Sequence, residues 1–301
     1  MEDYRLTHIQ ALEAESIHIL REVAAEFENP VMLYSVGKDS SVLVRLAQKA
    51  FAPGPIPFPL LHVDTSFKFP EMYKLRDQLC KDLGINLTVE RNETSIANGA
   101  NPFDLGTREC CAQLKTGALV KSLREGGYDA AMGGARRDEE RSRAKERVYS
   151  FRDQRGQWDP KSQRPEIWNL YNGKLRPQES IRVFPISNWT ELDVWNYIDA
   201  ENIPIVPLYF AAEREVVVNG DRIIPVTPNT AKQPEGEVQK IMCRYRTLGC
   251  MPCTGAIRSE ATTVREIINE MLMFNESERS GRVIDYDTDG SMEQKKQEGY
   301  F

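Results

Sequence analysis

The fold of this 301-residue chain is decided by the stretch Ser35-Val36-Gly37-Lys38-Asp39-Ser40-Ser41. The stretch follows a short apolar run, Val31 to Tyr34, that is typical of a buried parallel strand, and it leads into a helical pattern that ends near Ala50. A loop of small residues in this position directs backbone N–H groups and the positive end of the helix dipole at one point, where Lys38 adds a charge. The sequence therefore predicts a loop that binds a di- or triphosphate; the alternative is an ordinary surface loop with a solvated lysine.

Strands and helices alternate on both sides of this loop. A capping-box pair, Thr7 with Gln10, predicts the start of a helix that ends near Phe27. Later segments repeat the pattern, with strands predicted at residues 60–64, 86–90, 129–132 and 180–186 and helices at residues 71–83, 110–124, 190–200 and from 263 onward. We therefore predict an α/β fold with an open, mostly parallel, doubly wound sheet that binds ligands at the carboxyl ends of its strands.

Composition and charge narrow the class of protein. The formal net charge of −6 argues against a protein that coats nucleic acid, although it leaves room for a local basic groove. The start, Met1 to Tyr4, lacks the basic and apolar segments of a signal peptide, and no run approaches the roughly 18 apolar residues that a membrane span needs. We expect a cytoplasmic enzyme without a membrane partner, in which the 6 cysteines are reduced thiols.

The phosphate-binding stretch differs from a Walker A loop, which would need a glycine where Met32 or Leu33 stands. It resembles instead the Ser-Gly-Gly-Lys-Asp-Ser pattern of the pyrophosphate-loop ATPases, with Val36 in place of the first glycine. A likeness to one family within them, the small subunits of bacterial sulfate adenylyltransferase, extends over nearly the whole chain. It includes His62-Val63-Asp64-Thr65, Gly133 to Glu140, Ser187 to Glu191, and the tail segments Gly290 to Glu293 and Gly299 to Phe301.

This resemblance implies an adenine nucleotide alpha hydrolase-like fold and an enzyme that splits ATP between its α- and β-phosphates and releases pyrophosphate. The residues implied in ATP binding are Ser35, Gly37, Lys38, Asp39, Ser40, Ser41, Asp64 and Gly134, with Asp39 acting through Mg²⁺. The implied catalytic residues are Lys38, Arg136 and Arg137, because forked arginine donors suit an acceptor anion or the α-phosphate. The alternative for both arginines is a solvated charge run, since residues 136–147 hold six basic and four acidic residues.

The same reasoning divides the chain into two domains. Residues 1–215 are predicted to form the nucleotide-binding pyrophosphate-loop α/β domain, and residues 216–301 an irregular C-terminal region. That region begins with a hairpin, in which Asn219-Gly220 is a strong turn signal, and continues through a Cys-x-x-Cys turn, a helix and the tail. The predicted buried face of the helix consists of Val264, Ile267, Ile268, Met271 and Leu272.

Two close-spaced cysteine pairs, Cys110-Cys111 and Cys250-x-x-Cys253, supply four thiols, which is enough to hold a metal site. Their arrangement resembles the iron–sulfur signature of adenylylsulfate reductases, whereas small subunits of sulfate adenylyltransferase generally lack these cysteines. The resemblance implies a [4Fe-4S] cluster; structural zinc and unrelated buried thiols are the alternatives. Cys243 could replace one of the four, and Cys80 is predicted to be a core residue. Reductase activity is not expected, because no cysteine follows Cys253.

Two acceptors for the adenylyl group are compatible with these features. The first is sulfate or another oxyanion; forming adenylyl sulfate is energetically uphill, and in the resembled family a separate GTPase subunit drives it. The second is a nucleic acid that is adenylated for sulfur incorporation, as in DNA phosphorothioation or tRNA thiolation, with a cysteine desulfurase as partner. The match to the sulfate enzyme's small subunit favours the first acceptor, and the added cysteines favour the second. This sequence has no GTPase loop, so a GTPase would be another chain.

Overall fold

The computed structural model describes residues 6–226 and 233–273 of the chain. Its helices are α1 (His8–Glu26), α2 (Lys38–Phe51), α3 (Pro70–Leu83), α4 (Glu93–Ala97), α5 (Pro102–Cys111), α6 (Ala118–Glu125), α7 (Glu191–Glu201) and α8 (Val264–Met273). Its strands are β1 (Pro30–Leu33), β2 (Leu60–Val63), β3 (Leu87–Glu90), β4 (Ala130–Met132), β5 (Tyr149–Arg152), β6 (Ser180–Val183), β7 (Ala212–Asn219), β8 (Arg222–Pro225), β9 (Val238–Tyr245) and β10 (Ala256–Arg258).

Six strands form one sheet in the order β3-β2-β1-β4-β6-β5. Its neighbouring strands run parallel, except that β5 pairs antiparallel with β6 at one edge. The chain moves outward from β1 to β3 and then returns to β4 on the other side of β1. The switch point between β1 and β4 is where ligands of such sheets bind. The prediction of an α/β fold with a mostly parallel sheet is confirmed.

Local sequence signals set several helix ends. Thr7 Oγ1 accepts the N–H of Gln10, and the Gln10 side chain accepts the N–H of Thr7, so the predicted capping box forms at α1. Thr190 and Asp193 make the same reciprocal pair at the start of α7. At its other end, α3 stops at Gly84, whose φ of 61° lies in the left-handed region that glycine favours. All of these signals involve residues that lie close together in the sequence.

The remaining four strands form a small closed barrel in the order β10-β8-β7-β9. Val218 pairs with Ile223 across the predicted hairpin, and Gly220 takes a φ of 61° in its turn. Buried apolar side chains of the barrel and of α8, among them Val216 and Ile267, belong to the same core cluster as those of β1 and α2. The barrel therefore shares one continuous hydrophobic core with the α/β part of the chain. The division of the chain at residues 215 and 216 stays a prediction.

The structure corrects the predicted helix at residues 110–124. Helix α5 already begins at Pro102, breaks at Gly106, where φ is 73°, and continues to Cys111. A π-helical turn, Ala112–Gly117, then leads into α6. Periodicity alone could not detect these changes, because a π-helical turn shifts the helical register by only one residue.

The predicted buried face of α8 is wrong at one position. Ile267 is fully buried, whereas Leu272 has 65% of its surface exposed. Helix α8 lies on the surface of the protein, so its buried stripe is narrower than the apolar pattern predicted.

Two further expectations concern the membrane and the tail. None of the helices in the described ranges is long and apolar enough to cross a membrane. The tail segments Gly290 to Glu293 and Gly299 to Phe301, which contribute to the family resemblance, lie outside the described residues.

Candidate nucleotide-binding site

The predicted phosphate loop connects β1 to α2. Gly37 is the N-terminal cap of α2, and Lys38 is the first helical residue. The N–H of Lys38 donates to Tyr209 Oη at 2.8 Å, and Ser40 Oγ donates to the Gly37 carbonyl at 3.0 Å. Ser35 Oγ lies 3.2 Å from Ser40 Oγ. The loop is therefore held in shape by its own hydroxyl groups and by a tyrosine that is distant in sequence.

Val36 occupies the loop position at which the resembled pattern has glycine. Its φ is 64° and its surface is 1% exposed. The left-handed region costs an L-residue about 1–2 kcal/mol, and β-branched residues rarely adopt it. Because Val36 belongs to the main core cluster, burial of its side chain offsets this local strain.

Gly134 allows the end of β4 to approach the phosphate loop closely. A Cβ added at Gly134 would lie 3.1 Å from the Asp39 carbonyl carbon and 3.2 Å from the Ser40 nitrogen. Both contacts are with backbone atoms, which cannot rotate away as a side chain can. Any side chain at position 134 would therefore push β4 and the phosphate loop apart.

A cavity of about 210 Å³ lies beside the loop, at the carboxyl ends of β1, β2 and β4. The charged side chains in its wall are Lys38, Asp39, Lys68, Lys115, Glu139 and Arg143. Next to it, His62 Nδ1 lies 2.8 Å from the Tyr34 carbonyl oxygen. Burial, and then the charge of Lys68, lower the pKa of His62 to about 4, so His62 is neutral at pH 7. The positive charge of the cavity wall thus comes from lysine and arginine.

Lys38 is far less accessible than the sequence led us to expect for a loop residue. Its side chain is 1% exposed, and its Nζ atom lies 3.4 Å from Asp39 Oδ2 and 3.9 Å from Glu191 Oε1. Glu191, the first residue of α7, also forms an ion pair of 2.7 Å with Arg246 Nη2. A buried network therefore joins the phosphate loop, α7 and the segment that follows β9.

Asp39 is paired with Arg136, one of the two arginines singled out from the sequence. Arg136 Nε donates to Asp39 Oδ1 at 2.7 Å, and the Arg136 side chain is fully buried. Burial by itself would raise the pKa of the Asp39 carboxyl group, but Lys38 and Arg136 outweigh it and hold that pKa below its usual value. Asp39 is therefore an anion in the site, which is the state that a metal ligand needs.

The other predicted residues lie at different depths. Arg137 is partly exposed; it donates to Asn188 Oδ1 and lies 3.7 Å from Glu166 Oε2. Asp64 accepts a 2.6 Å hydrogen bond from the Tyr73 hydroxyl and lies just outside the cavity wall. Ser41 is 3% exposed and lies behind the loop. The functional roles of these residues stay predictions.

The structure brings the two cysteine pairs together. Burial raises the pKa of the Cys110 thiol to about 12, and the neighbouring Cys250 and Cys111 add to this shift. Burial likewise raises the pKa of Cys253, and the other three cysteines contribute after it. Cys250 Sγ also lies 3.1 Å from Thr65 Oγ1, at the end of β2. The four thiols thus form one group next to the cavity, whose wall includes Gly249.

The iron–sulfur prediction is nevertheless not confirmed. Within residues 6–226 and 233–273, no three His, Cys, Asp or Glu side chains have an arrangement that could hold a metal ion. The donor set, four thiols, suits iron–sulfur or zinc chemistry, but the sulfur positions do not yet enclose a metal. Cys243 lies apart in the barrel, where Arg214 and Arg258 are its charged neighbours. Cys80 is buried in the core, as predicted.

Several residues of the site were not identified from the sequence. Glu191 lay within a quoted motif but was given no role, and Tyr209 and Arg246 carried no local signal at all. Lys68 and Lys115 were missed because each is a single lysine with no pattern around it. Arg143 belongs to the charge run at residues 136–147, where only the first two arginines were singled out.

The fold and site define a class of ATP-using α/β protein, and comparison with known proteins identifies the family. The profile of the phosphoadenosine phosphosulfate reductase domain matches residues 29–256. The crystal structure of Candida glabrata FMN adenylyltransferase in complex with ATP superposes with a TM-score of 0.50 at 13% identity, covering 93% of this chain and 91% of that one. A likeness of this size supports the fold alone.

Curated sequences give a much closer match. Sulfate adenylyltransferase subunit 2 of Saccharophagus degradans is 60% identical, and that of Aeromonas hydrophila is 61% identical, each over 100% of both chains. The protein of the same name from Pseudomonas paraeruginosa is 58% identical over 99% of both chains. The chain belongs to the phosphoadenosine phosphosulfate reductase domain family and, within it, to the group of sulfate adenylyltransferase subunit 2 sequences.

Proposed function

We propose that this protein is the adenylyl-transferring subunit of a sulfate adenylyltransferase. In the reaction, a sulfate oxygen attacks the α-phosphorus of ATP, the bond from that phosphorus to the bridging oxygen of the β-phosphate breaks, and pyrophosphate leaves. The products are adenylyl sulfate and pyrophosphate. The observation that carries the proposal is the full-length identity of about 60% to proteins of this name, together with a phosphate loop at the switch point of the sheet.

The site has groups suited to each part of this reaction. Negative charge develops on the leaving pyrophosphate, so Lys38 and the N-terminus of α2 would stabilise it. Asp39, held as an anion, would bind Mg²⁺, which supplies further neutralisation of phosphate charge. Arg137, which is more exposed than Arg136, would meet the sulfate. Arg136 would act through Asp39, because its guanidinium already donates to that carboxylate.

The partner is proposed to be a GTPase subunit. The relatives are named subunit 2, which implies at least one other subunit in their enzyme. We also propose that the complex works in the cytoplasm. The alternative, adenylation of a nucleic acid together with a cysteine desulfurase, receives no support from the comparisons, because the relatives at 58–61% identity carry the sulfate enzyme's name.

We predict that sulfate stimulates pyrophosphate release from ATP when the chain is combined with subunit 1 from the same genome and GTP. The physical reason is that the acceptor must occupy its site before the α-phosphate can be attacked. The measurement is pyrophosphate release with and without sulfate, with chloride at equal ionic strength as the control. Pyrophosphate release that stays indifferent to sulfate in the presence of subunit 1 and GTP would refute the proposed acceptor.

We further propose that Cys110, Cys111, Cys250 and Cys253 hold a [4Fe-4S] cluster, with zinc as the alternative metal. Support comes from the spacing of the two pairs and from their proximity, because Cys111 and Cys250 lie close enough to Cys110 and Cys253 to raise the pKa values of those two thiols. Metal binding would require that the four sulfur atoms adopt a metal-binding arrangement and lose their protons, since thiolates are the ligands. No step of the adenylyl transfer is assigned to the cluster.

This cofactor proposal predicts that protein purified without oxygen is brown, contains iron and bleaches in air. Cys253→Ser should lose both colour and iron, because it removes one ligand. Cys80→Ser is the matched control, since it makes the same substitution at a thiol that lies in α3, outside the group. Colourless wild-type protein with stoichiometric zinc would assign a zinc site instead, and iron retained in Cys253→Ser would contradict the ligand set.

A further inference from the structure

We propose that residues 155–176 form the docking surface for the other subunit of the enzyme, with Trp168 at its centre. We refer to this segment as the Trp168 loop. The inference rests on the proposed function, because it takes the partner to be the subunit that completes a sulfate adenylyltransferase.

The Trp168 loop exposes an unusual amount of apolar surface in a single turn. Ile167 is 54% exposed, Trp168 86% and Leu170 68%. Nowhere else in the described ranges do three large apolar side chains with this much exposure lie within four residues. Exposed apolar groups of this kind mark interaction sites, and tryptophan is the residue type most enriched among the dominant contacts of interfaces.

The loop is anchored on both sides of Trp168. The Glu166 carboxylate accepts the backbone N–H groups of Val148 at 3.0 Å and Tyr149 at 2.7 Å. On the other side, the Tyr171 ring stacks on Tyr149 with a centroid distance of 5.0 Å. Trp168 itself has a φ of 56°, a conformation that is rare for a bulky residue. The backbone on both sides of Trp168 is therefore held in place, and its side chain is directed outward. This lowers the entropy cost of ordering the side chain when a partner binds.

The charge of the loop indicates the chemistry of its partner. It contains five basic residues and two acidic ones, a net charge of 5 − 2 = +3, in a chain whose net charge is −6. The basic residues are Arg155, Lys161, Arg164, Lys174 and Arg176. The partner surface that would complement this loop is an apolar pocket with an acidic rim. In a symmetric pair of copies the loop would face its own counterpart, and two surfaces of charge +3 repel each other, which favours the other subunit.

Contacts at the base of the loop connect it to the candidate active site. Glu166, two residues before Trp168, lies 3.7 Å from Arg137 through its Oε2 atom. Arg137 Nε also donates to the Glu146 carbonyl at 3.3 Å. A partner that binds Trp168 would therefore act on the Glu166 carboxylate, which lies beside Arg137, the residue proposed to meet sulfate.

The test is the affinity of purified subunit 1 from the same genome, measured by calorimetry with wild type and with Trp168→Ala. Loss of a dominant interface contact should raise the Kd by at least about 30-fold. The matched control is Met242→Ala on β9, because Met242 is an apolar side chain with 48% exposure on the barrel; its Kd should equal that of wild type. An unchanged Kd for Trp168→Ala, or no binding of subunit 1 by wild type, would overturn the proposal.

Two further measurements identify the occupant and separate this proposal from the proposed function. Lys161→Glu should weaken the binding of subunit 1 and reduce the salt dependence of that binding, because it reverses one of the basic charges of the Trp168 loop. If light scattering shows instead that Trp168→Ala abolishes self-association of the chain alone, the surface joins two copies and the proposal is wrong. Subunit 1 that binds through Trp168 without any sulfate-dependent pyrophosphate release would confirm the surface and contradict the proposed acceptor.

Discussion

Lys38→Ala should lower kcat for pyrophosphate release by about 10²–10³-fold, the usual effect of removing one preorganised donor from a developing anion. Lys38 is the lysine that begins α2, and its Nζ atom lies beside the cavity at the carboxyl end of β1. The loss should appear mainly in kcat, because the charge on pyrophosphate is largest in the transition state. The measurement is steady-state pyrophosphate release by the complex with subunit 1, at saturating ATP and sulfate.

The fold of this variant should remain intact. Lys38 is buried, but each of its carboxylate neighbours keeps a second cation: Arg136 for Asp39 and Arg246 for Glu191. The matched control is Lys49→Ala, which removes a lysine from the last turn of the same helix and should keep near wild-type turnover. Turnover of Lys38→Ala equal to that of the control would refute the phosphate-loop assignment.

Glu191→Ala should lower the free energy of unfolding by about 3–5 kcal/mol, the range for removing one partner of a buried ion pair. Glu191 is 4% exposed, and its carboxylate lies between Lys38, whose side chain is 1% exposed, and Arg246, at 18%. Without it, two cations remain close together with no carboxylate between them. The measurement is urea-induced unfolding followed by circular dichroism.

Helix α7 offers a matched control for this effect. Glu201, its last residue, also pairs with two cations, Arg45 at 3.0 Å and Lys49 at 2.9 Å, but its side chain is 21% exposed. Because solvent screens exposed pairs, Glu201→Ala should cost about 1 kcal/mol or less per pair. An equal loss of stability in the two variants would show that burial of the Glu191 network contributes nothing.

The sequence by itself determined the features that depend on neighbouring residues. Strand and helix periodicity predicted the α/β sheet, and the position of the phosphate loop between β1 and α2 indicated the edge of the sheet at which the cavity lies. The capping-box pair of Thr7 and Gln10 predicted the start of α1 correctly, because it involves residues only three positions apart. The motifs also pointed to the right family, because short stretches that resemble that family occur along nearly the whole chain.

Only the tertiary structure decided which residues of the site are hydrogen-bond and ion-pair partners. It placed the Tyr209 hydroxyl on the N–H of Lys38, 171 residues away, and the Arg246 guanidinium on Glu191, 55 residues away. It also buried Arg136 against Asp39, a position that the charge run at residues 136–147 did not indicate. The physical reason is that the burial of a charge and its choice of partner are set by how distant elements pack. No pattern of adjacent residues carries that information.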